Sequence, residues 1–161
     1  MTRKSLLAFV AFPAIALFLT VSCTKEETYP ITPEISFVSL DKLPNVSGKD
    51  SVVLTFGFTD GDGDVGTPAI DTVNRDLFVT LFELRNGVFV KYDDPYGVFN
   101  YRIPFMIPRG NNESLKGDIK VSIDYNIFQP NDTIYYDLYM KDRAGHISNT
   151  ISTSNIITGV Q

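Results

Sequence analysis

The chain has no tryptophan, one cysteine and one histidine among its 161 residues. A single cysteine excludes a disulfide framework within one chain. It equally excludes a zinc site built on several thiolates. The lone histidine, His146, lies in a glycine-bearing turn near the C-terminus, where packing or solvation suits it better than the work of a general base. There is no Gly-x-Ser-x-Gly elbow, no His-Glu-x-x-His helix and no phosphate loop. Basic residues are also few: 14 against 19 acidic ones, a formal charge of −5. An acidic surface repels phosphate backbones and argues against nucleic acid as a partner. It gives no electrostatic help at an anionic membrane either.

Hydrophobic residues make up 43% of the chain, enough to bury a core, and the length suits one domain with a targeting segment. That segment is legible at the start. Arg3 and Lys4 form a positive end, and the apolar, uncharged run from Leu6 to Val21 follows. The run is shorter than the roughly 20 residues of a spanning helix, and Pro13 interrupts it. This is the layout of a secretory leader. Its end, Leu19-Thr20-Val21-Ser22-Cys23, resembles the lipobox of bacterial lipoproteins. The lipobox usually has Leu three places before the cysteine, where this chain has Thr20. The resemblance implies cleavage before Cys23 and lipid on its sulfur and its new amino group. Each buried CH₂ contributes about 0.8 kcal/mol, so several acyl chains anchor durably where one is marginal. An unlipidated cysteine after an ordinary leader is the alternative. Loss of residues 1–22 leaves 12 basic residues against 19 acidic, a charge of −7, so lipid becomes the expected sole membrane attachment.

Thr24-Lys25-Glu26-Glu27 follows the cysteine. It resembles the export signal of surface-exposed Bacteroidota lipoproteins, which implies an outer-membrane, cell-surface location. A plain solvated tether is the competing reading. Pro30 and Pro33 keep that stretch extended. The expected organisation is a leader over 1–22, a lipidated tether over 23–34 and one folded domain over 35–161.

Beyond Ile35, β-branched and aromatic residues dominate and no helical period persists. Val52, Leu54, Phe56 and Phe58 share one face of a strand. Leu77 to Leu84 is apolar on both sides, as in a central strand. Ile119, Val121, Ile123 and Tyr125 alternate with polar residues, and Ile134, Tyr136, Leu138 and Met140 do the same. Asn86-Gly87 between two apolar runs predicts a two-residue hairpin. Other turn signals are Asn45-Val46-Ser47-Gly48, Arg109-Gly110-Asn111-Asn112 and Gln129-Pro130-Asn131-Asp132. About seven or eight strands are expected, in an all-β, antiparallel, Ig-like β-sandwich. The segment from Tyr135 to Asn149, with Asp142-Arg143-Ala144-Gly145-His146 at its turn, resembles the last hairpin of bacterial Ig-like and fibronectin-III-like domains. His146 stands where Asn is usual. The Cys–Trp–Cys hallmark of true Ig domains is missing. The resemblance bears on architecture, not on activity.

The sharpest motif is Asp60-Gly61-Asp62-Gly63-Asp64-Val65-Gly66. Glycines let the backbone curl, so alternate carboxylates converge. A hard cation such as Ca²⁺ takes about six to eight oxygens at such a centre. Asp71 lies where an EF-hand places its last acid, but Val65 replaces the required glycine and no helices flank the loop. The expectation is a calcium loop within a β-domain, held by Asp60, Asp62, Asp64 and Asp71. In an Ig-like topology Asp142 joins them from the same end. A solvated acidic turn is the alternative, since Asp-Gly pairs are ordinary turn formers.

Asp50-Ser51-Val52, Asp71-Thr72-Val73 and Asp132-Thr133-Ile134 resemble the O-glycosylation motif of Bacteroidota extracytoplasmic proteins. The resemblance implies glycans on Ser51, Thr72 and Thr133. A turn acid before a strand start explains the same pattern. The segment from Tyr92 to Arg102 gathers Tyr92, Tyr96, Tyr101 and Arg102, a candidate surface for a sugar or a protein partner. Core and edge packing is its alternative. Asp93 and Asp94 are the basis for a small hydrolase, yet adjacent acids usually point apart, and a glycosidase needs two facing each other across a cleft. The sequence therefore predicts a non-catalytic, calcium-stiffened surface lipoprotein with a binding or structural role, with an accessory glycan-binding lipoprotein of a nutrient-uptake complex as the alternative.

Overall fold

The computed structural model describes residues 27–46, 49–97, 99–108, 113–124 and 133–158. The leader, Cys23 and the tether up to residue 26 lie outside the described residues. So do Tyr125 and the turn signals at residues 47–48, 109–112 and 129–132.

The described residues form nine strands and no helix: β1 (Glu34–Val46), β2 (Lys49–Asp60), β3 (Leu77–Arg85), β4 (Val88–Lys91), β5 (Asn100–Tyr101), β6 (Leu115–Asp124), β7 (Thr133–Met140), β8 (Ile151–Ser152) and β9 (Ile156–Ile157). One sheet runs β1-β2-β6. The other runs β4-β3-β7-β8, with β5 also on β3 and β9 also on β7. Every pairing between strands is antiparallel. The chain changes sheets between β2 and β3 and again on either side of β6. This is the Greek-key order of an Ig-like sandwich. The strand count exceeds the seven or eight expected because β5, β8 and β9 are only two residues long. Such short segments carry no period for a sequence to display.

The alternation read in the sequence is the alternation of burial. Val52, Leu54, Phe56 and Phe58 face inward on β2. In register beside the first three stand Ile123, Val121 and Ile119 of β6. From the other sheet Ile134, Tyr136, Leu138 and Met140 of β7 meet Leu77, Val79 and Leu81 of β3. A side chain of Leu or Phe size fully removed from water contributes about 1.5–3 kcal/mol, so these layers are the main source of cohesion. The outer side of β3 is apolar too. Phe78 stacks on Tyr139 and Phe82 on Tyr135, with centroids 4.9 and 4.8 Å apart. Both are direct cross-strand pairs, the unit of sheet stabilisation.

The β3–β4 hairpin turns on Asn86 and Gly87, with φ of 52° and 79°. Two positive φ values in a two-residue loop are what an Asn-Gly turn supplies at least strain. The edge strand β1 has register shifts between Phe37 and Ser39 and between Leu43 and Val46. Its first residues are held by one side chain from the connection between β7 and β8. The Ile35 amide donates to Asn149 Oδ1, and Asn149 Nδ2 donates to the Ile35 carbonyl, both at 2.8 Å. The amide group thereby imitates a neighbouring strand.

Candidate metal centre

Three chain segments build one acidic end of the sandwich. β2 delivers Asp60 as its last residue. The glycine-rich turn that follows carries Asp62 and Asp64. The turn after β7 brings Asp142 back beside them. One carboxylate oxygen from each of Asp60, Asp64 and Asp142 lies within 4.8 Å of the others. Asp60 is 0% exposed and Asp142 3%.

Backbone bonds fix Asp60, Asp64 and Asp142. The Asp64 amide donates to Asp60 Oδ1 at 3.1 Å. The Ala144 amide donates to Asp64 Oδ2 at 2.8 Å, and the Arg143 amide to the Asp64 carbonyl at 3.2 Å. The two turns are thus stitched across 80 positions of sequence. Arg143 Nη1 reinforces the stitch by donating to the carbonyls of Val65 (2.9 Å) and Gly66 (3.2 Å). His146 attends Asp142 through its backbone amide to Oδ1 (2.7 Å), with ring Nδ1 at 2.8 Å from Oδ2.

After these bonds are made, one oxygen of each acid in the first turn is still unmatched. Asp60 Oδ2, Asp62 Oδ1 and Asp64 Oδ1 are buried and have no hydrogen-bond partner. Buried polar atoms are satisfied in the great majority of cases, because leaving one bare costs its full desolvation. Three bare anionic oxygens in one short turn, two of them on acids that converge with Asp142, suit a hard cation that prefers oxygen ligands. Electrostatics agrees. Burial, then the Asp62 charge, pushes the Asp60 carboxyl up to about 6. Burial raises Asp64 as well, against the Ala144 amide that lowers it. The hydrogen bond that the His146 imidazole makes to the Asp142 carboxylate, and then the Asp142 charge, raise the imidazole.

The structure brings together Asp60, Asp64 and Asp142, with Asp62 close enough to raise Asp60 and Asp64 by its charge. It places Asp71 elsewhere. The Asp71 carboxylate accepts from the amides of Val73 and Asn74 at 3.0 Å and from Asn74 Nδ2 at 2.6 Å. These bonds cap its own exposed turn and hold its carboxyl below the usual range. Spacing borrowed from an EF-hand does not survive where a strand precedes the loop. His146 and Arg143 were not assigned to this end from sequence. The signal was the four-residue step from Asp142 to the only histidine.

The aromatic segment divides. Tyr92 packs edge-on against buried Phe99, with centroids 6.1 Å apart. Tyr101 packs against the core, and burial pushes its phenol up to about 12. Arg102 Nη2 donates to the Pro68 carbonyl at 3.0 Å. Tyr96 alone is fully open, at 90% exposed. A recess of about 400 Å³ lies along β3 between β4 and β5, lined by Lys91, Tyr92, Asp93, Asp94 and Asn100 among others. Asp94 Oδ2 accepts from the Phe99 amide at 3.3 Å, which makes Asp94 a turn acid. Of the three glycosylation candidates, Thr72 is exposed in a loop, whereas Ser51 and Thr133 are half-buried in β2 and β7.

No protein-family model matches the chain, and neither a curated protein nor a solved structure matches it significantly.

Proposed function

We propose that this chain is a non-catalytic lipoprotein, anchored through Cys23 to the outer membrane and exposed at the cell surface. Its sandwich serves a binding or structural role and is stiffened at one end by Ca²⁺. The observation that carries the calcium assignment is the set of three buried, unpartnered carboxylate oxygens on Asp60, Asp62 and Asp64. Asp142 supplies the fourth acid from the other turn. All these donors are oxygens, the ligand type of calcium and magnesium. Calcium suits the site better, because magnesium demands a stricter octahedron and retains its water. The cation's chemistry here is neutralisation of clustered charge.

The anchoring part rests on Cys23 at the end of an apolar leader and on the acidic balance of the remaining chain. The surface location rests on Lys25-Glu26-Glu27. Calorimetric titration of CaCl₂ into the purified chain tests the metal. Heat with a defined stoichiometry, absent in Asp64→Asn, is the expected result. No heat at millimolar calcium removes the calcium assignment and leaves the anchor untouched.

The glycan-binding reading keeps one observation in its favour, the recess beside Tyr92 and Asp93. The aromatic pairs on the outer face of the second sheet do not add to it. Phe78 and Tyr139, and Phe82 and Tyr135, cover each other's ring faces, which a sugar would need to stack upon. Binding on a glycan array that disappears in Tyr92→Ala or Asp93→Ala would establish that reading. Of the two acids a hydrolase would use, Asp94 accepts a bond from the Phe99 amide and braces its own turn.

A further inference from the structure

The three glycines nearest the acids are each pressed against a different part of the chain. A Cβ built on Gly61 would stand 2.3 Å from the carbonyl oxygen of Tyr29 and 2.7 Å from the backbone of Pro30. One on Gly63 would stand 2.0 Å from the carbonyl oxygen of Glu113, and one on Gly66 2.2 Å from that of Pro104. Contacts under 3.0 Å leave no room for any side chain. Hence the acidic turn touches the end of the tether, the segment after β5 and the residues just before β6. Through Asp64 it also holds the turn that bears Asp142. Ser114 Oγ adds a bond to the Gly61 carbonyl at 3.3 Å.

The tether is gripped from this side. Lys116 Nζ lies 3.0 Å from Glu27 Oε2 and 5.7 Å from the centre of the Tyr29 ring. Pro33 is buried. Exposed ion pairs of this kind are weak by themselves. The close surface at Gly61 is therefore the part of the grip that depends on the shape of the acidic turn. That shape sets the carboxylates of Asp60, Asp64 and Asp142 within 4.8 Å of one another with the Asp62 charge close by, and Asp60 is fully buried with an oxygen unmatched. Like charges so placed repel each other strongly away from water. Without a cation that repulsion works against the turn, and so against the surface that receives Tyr29 and Pro30.

We propose that a divalent cation bound by Asp60, Asp62, Asp64 and Asp142 fastens the tether segment 27–33 to the domain, and that its removal releases that segment. This rests on the calcium assignment above. The consequence is control over how the domain stands on its anchor: a set angle with the ion bound, a loose leash without it.

The test uses the purified full chain and CaCl₂ or EDTA alone as probes. ¹⁵N relaxation reads backbone order at Thr28, Tyr29, Ile31 and Thr32, while calorimetry on the same sample reads cation uptake. The expected result is uptake together with a rise in order parameter from below about 0.6 to about 0.85 at those four amides. Asp142→Asn, a change in the far turn, is expected to abolish the rise. Uptake with unchanged tether order overturns this proposal but not the calcium site. A rise that persists in Asp142→Asn also overturns it. Absence of uptake overturns both.

Discussion

Asp60 ends β2 with no solvent exposure and one oxygen unpartnered, so ionisation is costly there. Its carboxyl is raised from 3.8 to about 6 by burial and by the Asp62 charge. A carboxyl raised on folding favours the folded state below its unfolded value. That contribution is lost as pH climbs through the folded one. The metal-free protein is therefore expected to lose stability between about pH 4 and pH 6 on account of this residue. Asp60→Asn keeps an oxygen for the Asp64 amide and removes the charge. Without metal at pH 7 it is expected to melt above the wild type, and its pH slope across that window is expected to be flatter. With calcium the order reverses, because the variant has lost a ligand. Thermal melts of both proteins in EDTA and in CaCl₂, from pH 4 to 7, check the sign at each point. Much of this site was legible beforehand. Asp60, Asp62 and Asp64 alternate with small residues, and alternation is visible in a sequence. The surroundings of Asp71 are not legible, because nothing in its spacing shows that Asn74 and two amides occupy its carboxylate. The part played by His146 was invisible for the same reason, since hydrogen-bond partners across a turn depend on backbone geometry.

At the level of the strand, period-two burial made β2, β3, β6 and β7 readable, and their inward residues are those that packing requires. Phe56 is 0% exposed and sits opposite Ile119. Phe56→Ala is expected to cost about 3–5 kcal/mol in urea unfolding. The Asn86-Gly87 hairpin offers a cleaner measurement. A Cβ on Gly87 meets nothing within 4 Å, so Gly87→Ala adds no clash. What remains is the price of φ 79° for an L-residue, about 1–2 kcal/mol. A cost well above that would mean the turn bears on more than its own hairpin. β5, β8 and β9 were not legible. Each exists only because β3 or β7 presents a free edge to it. The shifts along β1 were equally hidden, since a bulge depends on how two strands meet.

For the whole chain, anchoring and metal binding give separate measurements. Cys23→Ser is expected to move the protein from the membrane fraction to the soluble fraction, as read by immunoblot after fractionation. Replacing Lys25, Glu26 and Glu27 by alanine is expected to keep the anchor and to protect the domain from protease added to intact cells. Calcium at a hundred times its Kd adds about 2.7 kcal/mol to folding. For a domain of this size that is a melting shift on the order of 10 °C. EDTA is expected to reverse it. A melting curve indifferent to both reagents would leave the sandwich standing on its core alone.

The Asn149 clamp on Ile35 has a mechanical side. A pull entering through the residues before Glu34 runs along β1, parallel to the strand. The ladder to β2 is loaded in shear, so its bonds share the strain and do not open one after another. At the point where the pull arrives, the two bonds of the Asn149 amide couple β1 to the second sheet. The first strand therefore cannot peel away without disturbing both layers. Once the tether contacts ahead of Glu34 have given way, a domain pulled along this strand would resist through the Asn149 amide before its core was touched, and Asn149→Ala should lower the unfolding force measured in EDTA by single-molecule pulling from the N-terminus.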